Sequence, residues 1–362
     1  MTQRVKTPDF KMTLGTINFD DKEYHKRVQS IEVESLADSA SSFTIYLDDG
    51  DDLFSSSRRV KEGDCAVIQL GYAADRIDKV LEGIITGVQS FRREYGRKLY
   101  KISGFDNLQA LTRGRKRRSW ETMKDSDVAS EVVSESGLSI DADDTEFIHP
   151  YIAQNNVTNL EFLFERARRN GFEVRCEGKT VLFKKPQVQD SCCDLVWNAS
   201  SPMARQGDSR ILKRCNVASS TMGVVEEVVV RSYCPKKKKP IVASAKNVHG
   251  NTMGGDTTGP DFAKANNPGT TIQISDQPVM CEAEAEKLAW SILNQRAGNF
   301  MSGRCSSEGD GRIMSGRIVK IHEVGKEIDG DYYVTRSKHV MKVGNGPGFG
   351  YTTEFEVRRS GR

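Results

Sequence analysis

Between Asp125 and Phe183 two helix signals interrupt a chain that otherwise alternates like β-strand, and that interruption divides the sequence. Val157-Thr158-Asn159-Leu160-Glu161-Phe162 spells a helix start, with Thr158 as N-cap and Glu161 as the reciprocal residue of a capping box. Val157 and Phe162 are spaced as a hydrophobic staple. Leu160, Leu163, Phe164 and Ala167 then recur at helical spacing, Arg166, Arg168 and Arg169 occupy the last turns, and Gly171 supplies the stop. A shorter helix opens at Ser126-Asp127, carries Val128, Ala129, Val132 and Val133, and closes at Gly137. Phe172 to Cys176 and Thr180 to Phe183 alternate about a Glu177-Gly178 turn, which predicts a hairpin.

On either side the rhythm is β. Phe43 to Leu47 alternates and runs into the turn-forming Asp48 to Asp52. Gly63-Asp64 then introduces Cys65 to Leu70, a turn at Ala74 to Asp78 leads to Val80 to Val88, and Gly96 introduces Arg97 to Ile102. Near the C-terminal end Gly316 introduces Arg317 to Ile321, Ile328-Asp329-Gly330 turns into Tyr332 to Arg336, and Gly350 opens Tyr351 to Val357. The spacing from Gly63 to Gly96 and that from Gly316 to Gly350 differ by a single residue, which points to two copies of one β unit. Short strands between turn signals suit a sandwich or barrel rather than βαβ units.

Between the hairpin and the second copy, Leu195 to Val230 holds further strand candidates, notably Val224 to Arg231. Pro235, the lysines Lys236 to Lys239, Pro240 and a Gly/Asn/Thr-rich tract from Asn247 to Thr270 predict a long surface loop. Ser275 or Asp276 is then placed to cap a helix with apolar Cys281, Ala285, Leu288, Ala289, Ile292 and Leu293, ended by Gly298. The expected fold is therefore mainly β with an α+β insertion: two tube-like β-barrel domains separated by a small α/β domain. The expected boundaries are 1–111 for the first barrel, 112–186 for the α/β domain of two helices and a hairpin, and 187–362 for the second barrel, with a loop insertion at about 235–275 and a helix at about 277–297.

Little in the sequence asks for chemistry. At 362 residues the chain can bury several cores, and a formal net charge of +3 with 28% charged residues gives no general attraction to nucleic acid or anionic membrane. The polar, basic stretch Met1 to Gly15 has no secretory pattern, and no apolar run approaches the ~20 residues that span a bilayer, so a soluble protein made in the cytoplasm is expected. Cys65, Cys176, Cys234, Cys281 and Cys305 are scattered, Cys192-Cys193 are adjacent and Cys215 stands alone. Without a C-x-x-C pair they suggest free thiols, neither a zinc site nor a disulfide framework.

Gly344 to Gly350 looks like a phosphate-cradling loop, but Pro347 interrupts it and a strand follows, so a hairpin connection is preferred. His322-Glu323 starts like a zincin motif, yet Lys326 stands where the second histidine must be. His25, His149, His249 and His339 are dispersed, and Asp48 to Asp52 and Asp141 to Asp144 lack calcium-loop spacing and suggest solvated turns. Arg113-Gly114-Arg115-Lys116-Arg117-Arg118 is the sharpest charge feature; without interleaved aromatics it reads as an exposed connector before it reads as a phosphate-binding patch. No catalytic, cofactor-binding or metal-binding residue is expected, and no cofactor.

Several blocks, in their order, resemble one family: Gly63-Asp64 with Gly71-Tyr72; Gly83 to Val88; Arg115 to Trp120 before Ser126-Asp127-Val128 and Gly137-Leu138; Gln154 to Leu163 through Gly171-Phe172; Glu284-Ala285; Gly316 through Gly330 to Val334; His339; and Tyr351-Thr352-Thr353. They are similar to the late control protein D group, the baseplate hub of contractile phage tails and related injection systems, which also forms the head of type VI secretion VgrG spike proteins. The resemblance implies a structural protein rather than an enzyme. It implies a homotrimer whose six barrels face a hexameric tail tube protein while its threefold symmetry faces a central spike protein, with contacts to other baseplate proteins. It places the chain in a virion or injection particle assembled in the bacterial cytoplasm, with no small-molecule substrate and no membrane span. No needle repeat or lysozyme-like segment resembling the spikes follows, so a separate spike protein is expected. The alternatives are a cell-wall hydrolase component of a tail, or a nucleic-acid-binding module using residues 113–118.

Overall fold

The computed structural model describes residues 7–57, 59–73, 75–92, 96–186, 190–205, 209–234, 237–248, 253–255, 257–344 and 348–362. Its first strands are β1 (Pro8–Leu14), β2 (Ile17–Asn18), β3 (Val28–Leu36), β4 (Ser42–Asp48), β5 (Cys65–Tyr72), β6 (Ile77–Arg92) and β7 (Lys98–Asp106), with the short helices α1 (Lys22–His25) and α2 (Leu53–Ser57) between them. They lie in the order β3-β4-β7-β6-β5-β1-β2, all antiparallel. Side chains alternate across a strand, so Phe43, Ile45 and Leu47 of β4 point inward together, joined by Ile31 and Val33 of β3 and Ile68 and Leu70 of β5.

The second unit is built from β13 (Cys193–Val196), β14 (Ser209–Ser219), β18 (Met301–Glu308), β19 (Ile318–His322), β20 (Gly330–Lys342) and β21 (Gly350–Arg359). It closes: the ring runs β13-β14-β18-β21-β20-β19 and returns to β13. Leu195, Leu212, Val319, Ile321, Tyr332, Phe355 and Val357 fill it. The repeat expected from the glycine spacing is present as topology. Written from the first strand, the units read β1-β5-β6-β7-β4-β3 and β13-β19-β20-β21-β18-β14, each with a three-strand antiparallel meander inside it.

They differ in the direction of the first strand, β1 running antiparallel to β5 and β13 parallel to β19, and at the closure. β14 pairs with β13, whereas β3 turns its free edge to β20. All of the paired strands of both units therefore form one thirteen-stranded sheet. β20 is the strand they share. One edge runs along β21; the other is divided, with Gly330–Tyr333 on β19 and Arg336–Lys342 on β3. The register slips between Val334 and Arg336, so Thr335 marks the fork, where its carbonyl accepts from the Ala37 N–H at 3.1 Å. Beyond the fork the hairpin end serves the first unit: Met341 and Tyr351 are buried in its core, with Tyr351 5.9 Å from the Tyr72 ring.

The expected divider sits between these units in the chain. β8 (Lys116–Lys124) pairs with β10 (Ile148–Val157), and β11 (Glu173–Glu177) pairs with β12 (Thr180–Lys184) as the expected hairpin, which adds β9 (Ser139–Ala142) in parallel. The helices α3 (Asp125–Ser134) and α4 (Asn159–Asn170) cover a core of Val128, Val132, Phe162, Leu163, Val174 and Phe183. The capping box forms as spelled: Glu161 N donates to Thr158 Oγ1 at 3.1 Å and Thr158 N to the Glu161 carboxylate at 2.8 Å. Gly171 ends α4 at φ 67°, the left-handed region in which a Cβ is strained.

The stretch expected as a loop at about 235–275 is folded. β15 (Glu227–Cys234) pairs with β16 (Lys239–Ala245) and with β17 (Thr271–Ile274), and α5 (Gly259–Asn266) lies between the last two. Polar residues misled because this sheet hides one face only: Ile241, Ala243 and Ala245 alternate with exposed neighbours. That face packs on α6 (Glu282–Ala297) through Ala285, Leu288, Ala289 and Leu293. The cap of α6 also differs from expectation. Cys281, not Ser275 or Asp276, is the N-cap, its sulfur accepting from Glu284 N at 3.5 Å. Pro235, Lys236, Ala74, His249 and Asn345 to Pro347 lie outside the described residues.

Candidate functional site

Charged side chains are buried together at two places. The first lies where α3, β10, α4 and α6 meet. Asp125 begins α3, where its carboxylate complements the positive end of the helix. Arg166 of α4 donates to its Oδ1, Asn170 donates to Oδ2 at 2.6 Å, and His149 Nε2 stands 3.1 Å from Oδ2. The other imidazole nitrogen is 3.5 Å from Glu284 of α6, which also accepts from Arg169 at 3.1 Å and from Met280 N at 2.8 Å. Burial would push the Asp125 carboxyl up, but the bonds from His149 and Arg166 outweigh it and hold it well below the usual carboxylate range. Lys287, donating to the Thr145 carbonyl at 3.0 Å, completes a cavity of about 250 Å³.

This group has the residue types of an acid–base site without its geometry. A general base needs a free lone pair and a pKa near the working pH; the Asp125 carboxylate accepts from Arg166 and Asn170, lies against His149, and is held far below that range. The hydroxyls of Ser126 and Thr145 bond each other, Thr145 donating to Ser126 at 3.4 Å. What the arrangement can do is fix the α/β unit to α6. Ser291 of α6 adds a bond to the Arg168 carbonyl in the last turn of α4, which also accepts from the Gly171 N–H.

The second place is the seam between the β units. Arg210 of β14 is buried 2.9 Å from Asp310 and 3.3 Å from Asp75, which lies in the β5–β6 turn of the other unit; its guanidinium stands over the Tyr72 ring at 5.8 Å. Arg312 returns to Asp310 at 2.7 Å, and these two cations overcome burial to lower the Asp310 pKa. On β20, His339 Nδ1 is 2.9 Å from the Tyr351 hydroxyl and 3.1 Å from Thr353 Oγ1. It is fully buried, which pushes its pKa down to about 4. Ser35 of β3 and Ser315 share a bond of 2.7 Å across the same seam. The α/β unit reaches it as well, Tyr333 donating to Glu173 and Arg175 to the Gly316 carbonyl at 3.0 Å.

The motifs weighed from the sequence resolve into structural roles. In the basic run, Lys116 pairs with Glu135 at 2.6 Å, and Arg118 pairs with Glu135, donates to Gln154 and stacks over Trp120 at 4.7 Å. Arg115 donates to the Asn156 carbonyl at 3.2 Å. The Asp48 to Asp52 turn departs from expectation at Asp49, which is buried and accepts from Phe54 N at 2.7 Å, while Asp51 pairs with Arg27 and Asp52 with Lys98. Asp141 and Asp144 pair with Lys184 and Lys124. His322 ends β19, 2.9 Å from Asp194. Among the described residues no group of three or more His, Cys, Asp and Glu side chains could hold a metal ion, and no helix is long and apolar enough to cross a membrane.

From the sequence, Arg166 belongs with Arg168 and Arg169 in the last turns of α4, and His149 is one of the dispersed histidines. A helical-wheel count would have put Arg166 beside Phe162 and Leu163 on the buried face, which was the available signal for its partner. Nothing local marks Arg210 or the pairing of Cys215 with Cys305, since both depend on strands about a hundred residues apart.

Comparison with known proteins gives the same architecture. The 43 kDa tail protein of prophage MuSo2 from Shewanella oneidensis matches with a TM-score of 0.70 and 10% identity, covering 98% of each chain. A tail protein from Neisseria meningitidis MC58 matches with a TM-score of 0.69 and 13% identity, covering 98% of this chain and 97% of that one. An Escherichia coli component of the type VI secretion system, described as similar to the T4 bacteriophage tail proteins gp27 and gp5, matches with a TM-score of 0.59 and 11% identity over 92% of this chain and 74% of its own. At these identities the likeness is one of fold. In sequence, the family model described as the Alg8 N-terminal domain matches residues 11–342. None of the curated proteins matches.

Proposed function

The chain belongs to the Alg8 N-terminal domain family; from its fold, which is that of phage tail proteins, we propose that it is the baseplate hub of a contractile phage tail or injection particle. In this reading it is a homotrimeric symmetry adaptor with no enzymatic role, set between a sixfold tail tube protein and a threefold central spike protein. The observation that carries the reading is the pair of six-strand units of equal strand order joined through β20 in one chain. A ring that must meet six identical subunits on one side and three on the other is satisfied by three chains with two like units each. The divider of α3, α4 and its strands belongs outside that repeat, as the module that spaces the two barrels and meets other baseplate proteins.

Electron microscopy of the chain assembled with the tube and spike proteins of its own particle tests this. Three copies should form one ring in which six barrels continue the tube. A chain that stays monomeric with both partners present sinks the proposal.

A further inference from the structure

Cys215 of β14 and Cys305 of β18 are directly opposed in the antiparallel register of the closed barrel. Their sulfurs are 3.6 Å apart. We propose that this pair is an oxidation site, at which a low-molecular-weight disulfide converts the two thiols into a cross-strand disulfide that staples β14 to β18.

Opposed residues in an antiparallel pair have Cα atoms about 4.5–5.5 Å apart, inside the roughly 4.4–6.8 Å that a disulfide spans. The backbone is thus already in range, and closing the sulfurs to about 2.05 Å needs side-chain rotation only. The two thiols are not equivalent. Cys305 is buried in the barrel core beside Phe355, whereas Cys215 is half-buried at its margin and can be reached. The Cys305 S–H points at the Cys215 sulfur; that bond outweighs burial to lower the Cys215 pKa, and donating it raises that of Cys305. Cys215 is accordingly the attacking thiol.

The chemistry is two exchanges. The Cys215 thiolate attacks one sulfur of oxidised glutathione, that S–S bond breaks, and the first glutathione leaves as thiolate. Cys305, losing its proton, attacks the Cys215 sulfur of the mixed disulfide and expels the second glutathione. Two protein thiols are oxidised, one glutathione disulfide is reduced to two glutathione thiols, and the two protons end on those leaving groups.

The test uses the full chain, incubated with excess oxidised glutathione at alkaline pH, alkylated and digested without reduction. The expected product is a peptide pair joined through Cys215 and Cys305, neither of the two alkylated, both restored by dithiothreitol, and a higher melting temperature than the reduced chain. Cys305→Ser should leave glutathione retained on Cys215. The map of the unsubstituted chain decides without that variant. Cys215 and Cys305 both recovered as free thiols while exposed Cys65 carries glutathione, or Cys215 joined to any other cysteine, overturns the proposal.

Discussion

His339 is neutral in the fold because its ring is wholly enclosed by the seam, and it acts there through Tyr351 and Thr353. Its pKa is about 4 in the fold and 6.5 for the ordinary side chain. Between those values the unfolded chain holds a proton that the folded chain refuses, so stability is intact above 6.5 and falls as pH drops towards 4. The slope is about 1.4 kcal/mol per pH unit. Urea unfolding at pH 7.5 and pH 5 should show the native chain losing about 2 kcal/mol more than His339→Gln. Parallel losses in the two proteins contradict the account. Single residues of this kind were the least legible part of the sequence. His339 is one histidine between Lys338 and Val340 in a strand, and only the convergence of β3, β20, β21 and the turn after β18 makes it a buried one. Arg166 and Asp125 teach the same point, being 41 residues apart yet bonded.

At the scale of elements the sequence was most legible where the signal is local. The capping box at Thr158 and the glycine stop at Gly171 are written within α4 itself, and both form. Thr158→Ala removes the acceptor for Glu161 N and should cost about 1 kcal/mol, read as a lower urea midpoint. Thr158→Ser should retain most of it, and an unchanged midpoint in the alanine variant refutes the assignment. The strand β15 was foreshadowed by the Val224 to Arg231 run, whereas β16 and β17 were missed for an equally physical reason. A one-faced sheet needs only alternate apolar residues, and the lysine run ending at Lys239 with Pro240 after it weighs against strand in any local count. Their face is completed by α6, which follows in the chain, so the pattern is complete only when the helix is included.

For the whole molecule, the repeat in glycine spacing was legible and the joining of the copies was not. The two β units could have been tethered by the divider alone; instead they share strand hydrogen bonds and the ion pair of Arg210 with Asp75, and Arg210 is itself held by Asp310 of its own unit. Removing one partner of a buried pair leaves the other charge uncompensated, which typically costs 3–5 kcal/mol. Since Arg312 also contacts Asp310, Arg210→Met should cost about 3 kcal/mol and make unfolding of the two barrels less concerted. Denaturation followed separately by fluorescence and circular dichroism checks this; coincident transitions with an unshifted midpoint speak against it.

The fork at Thr335 has a consequence for how such a molecule can change over time. Side chains in a strand alternate with a period of two, so gaining or losing one residue between Val334 and Arg336 inverts every face of β20 beyond it. His339 and Met341 would swing out of the cores they fill, while the divider and the sheet of β15 to β17 would be untouched. Length variation is therefore open to the peripheral modules and closed at this strand, which sets the phase of one barrel against the other like the keyed joint between two gears.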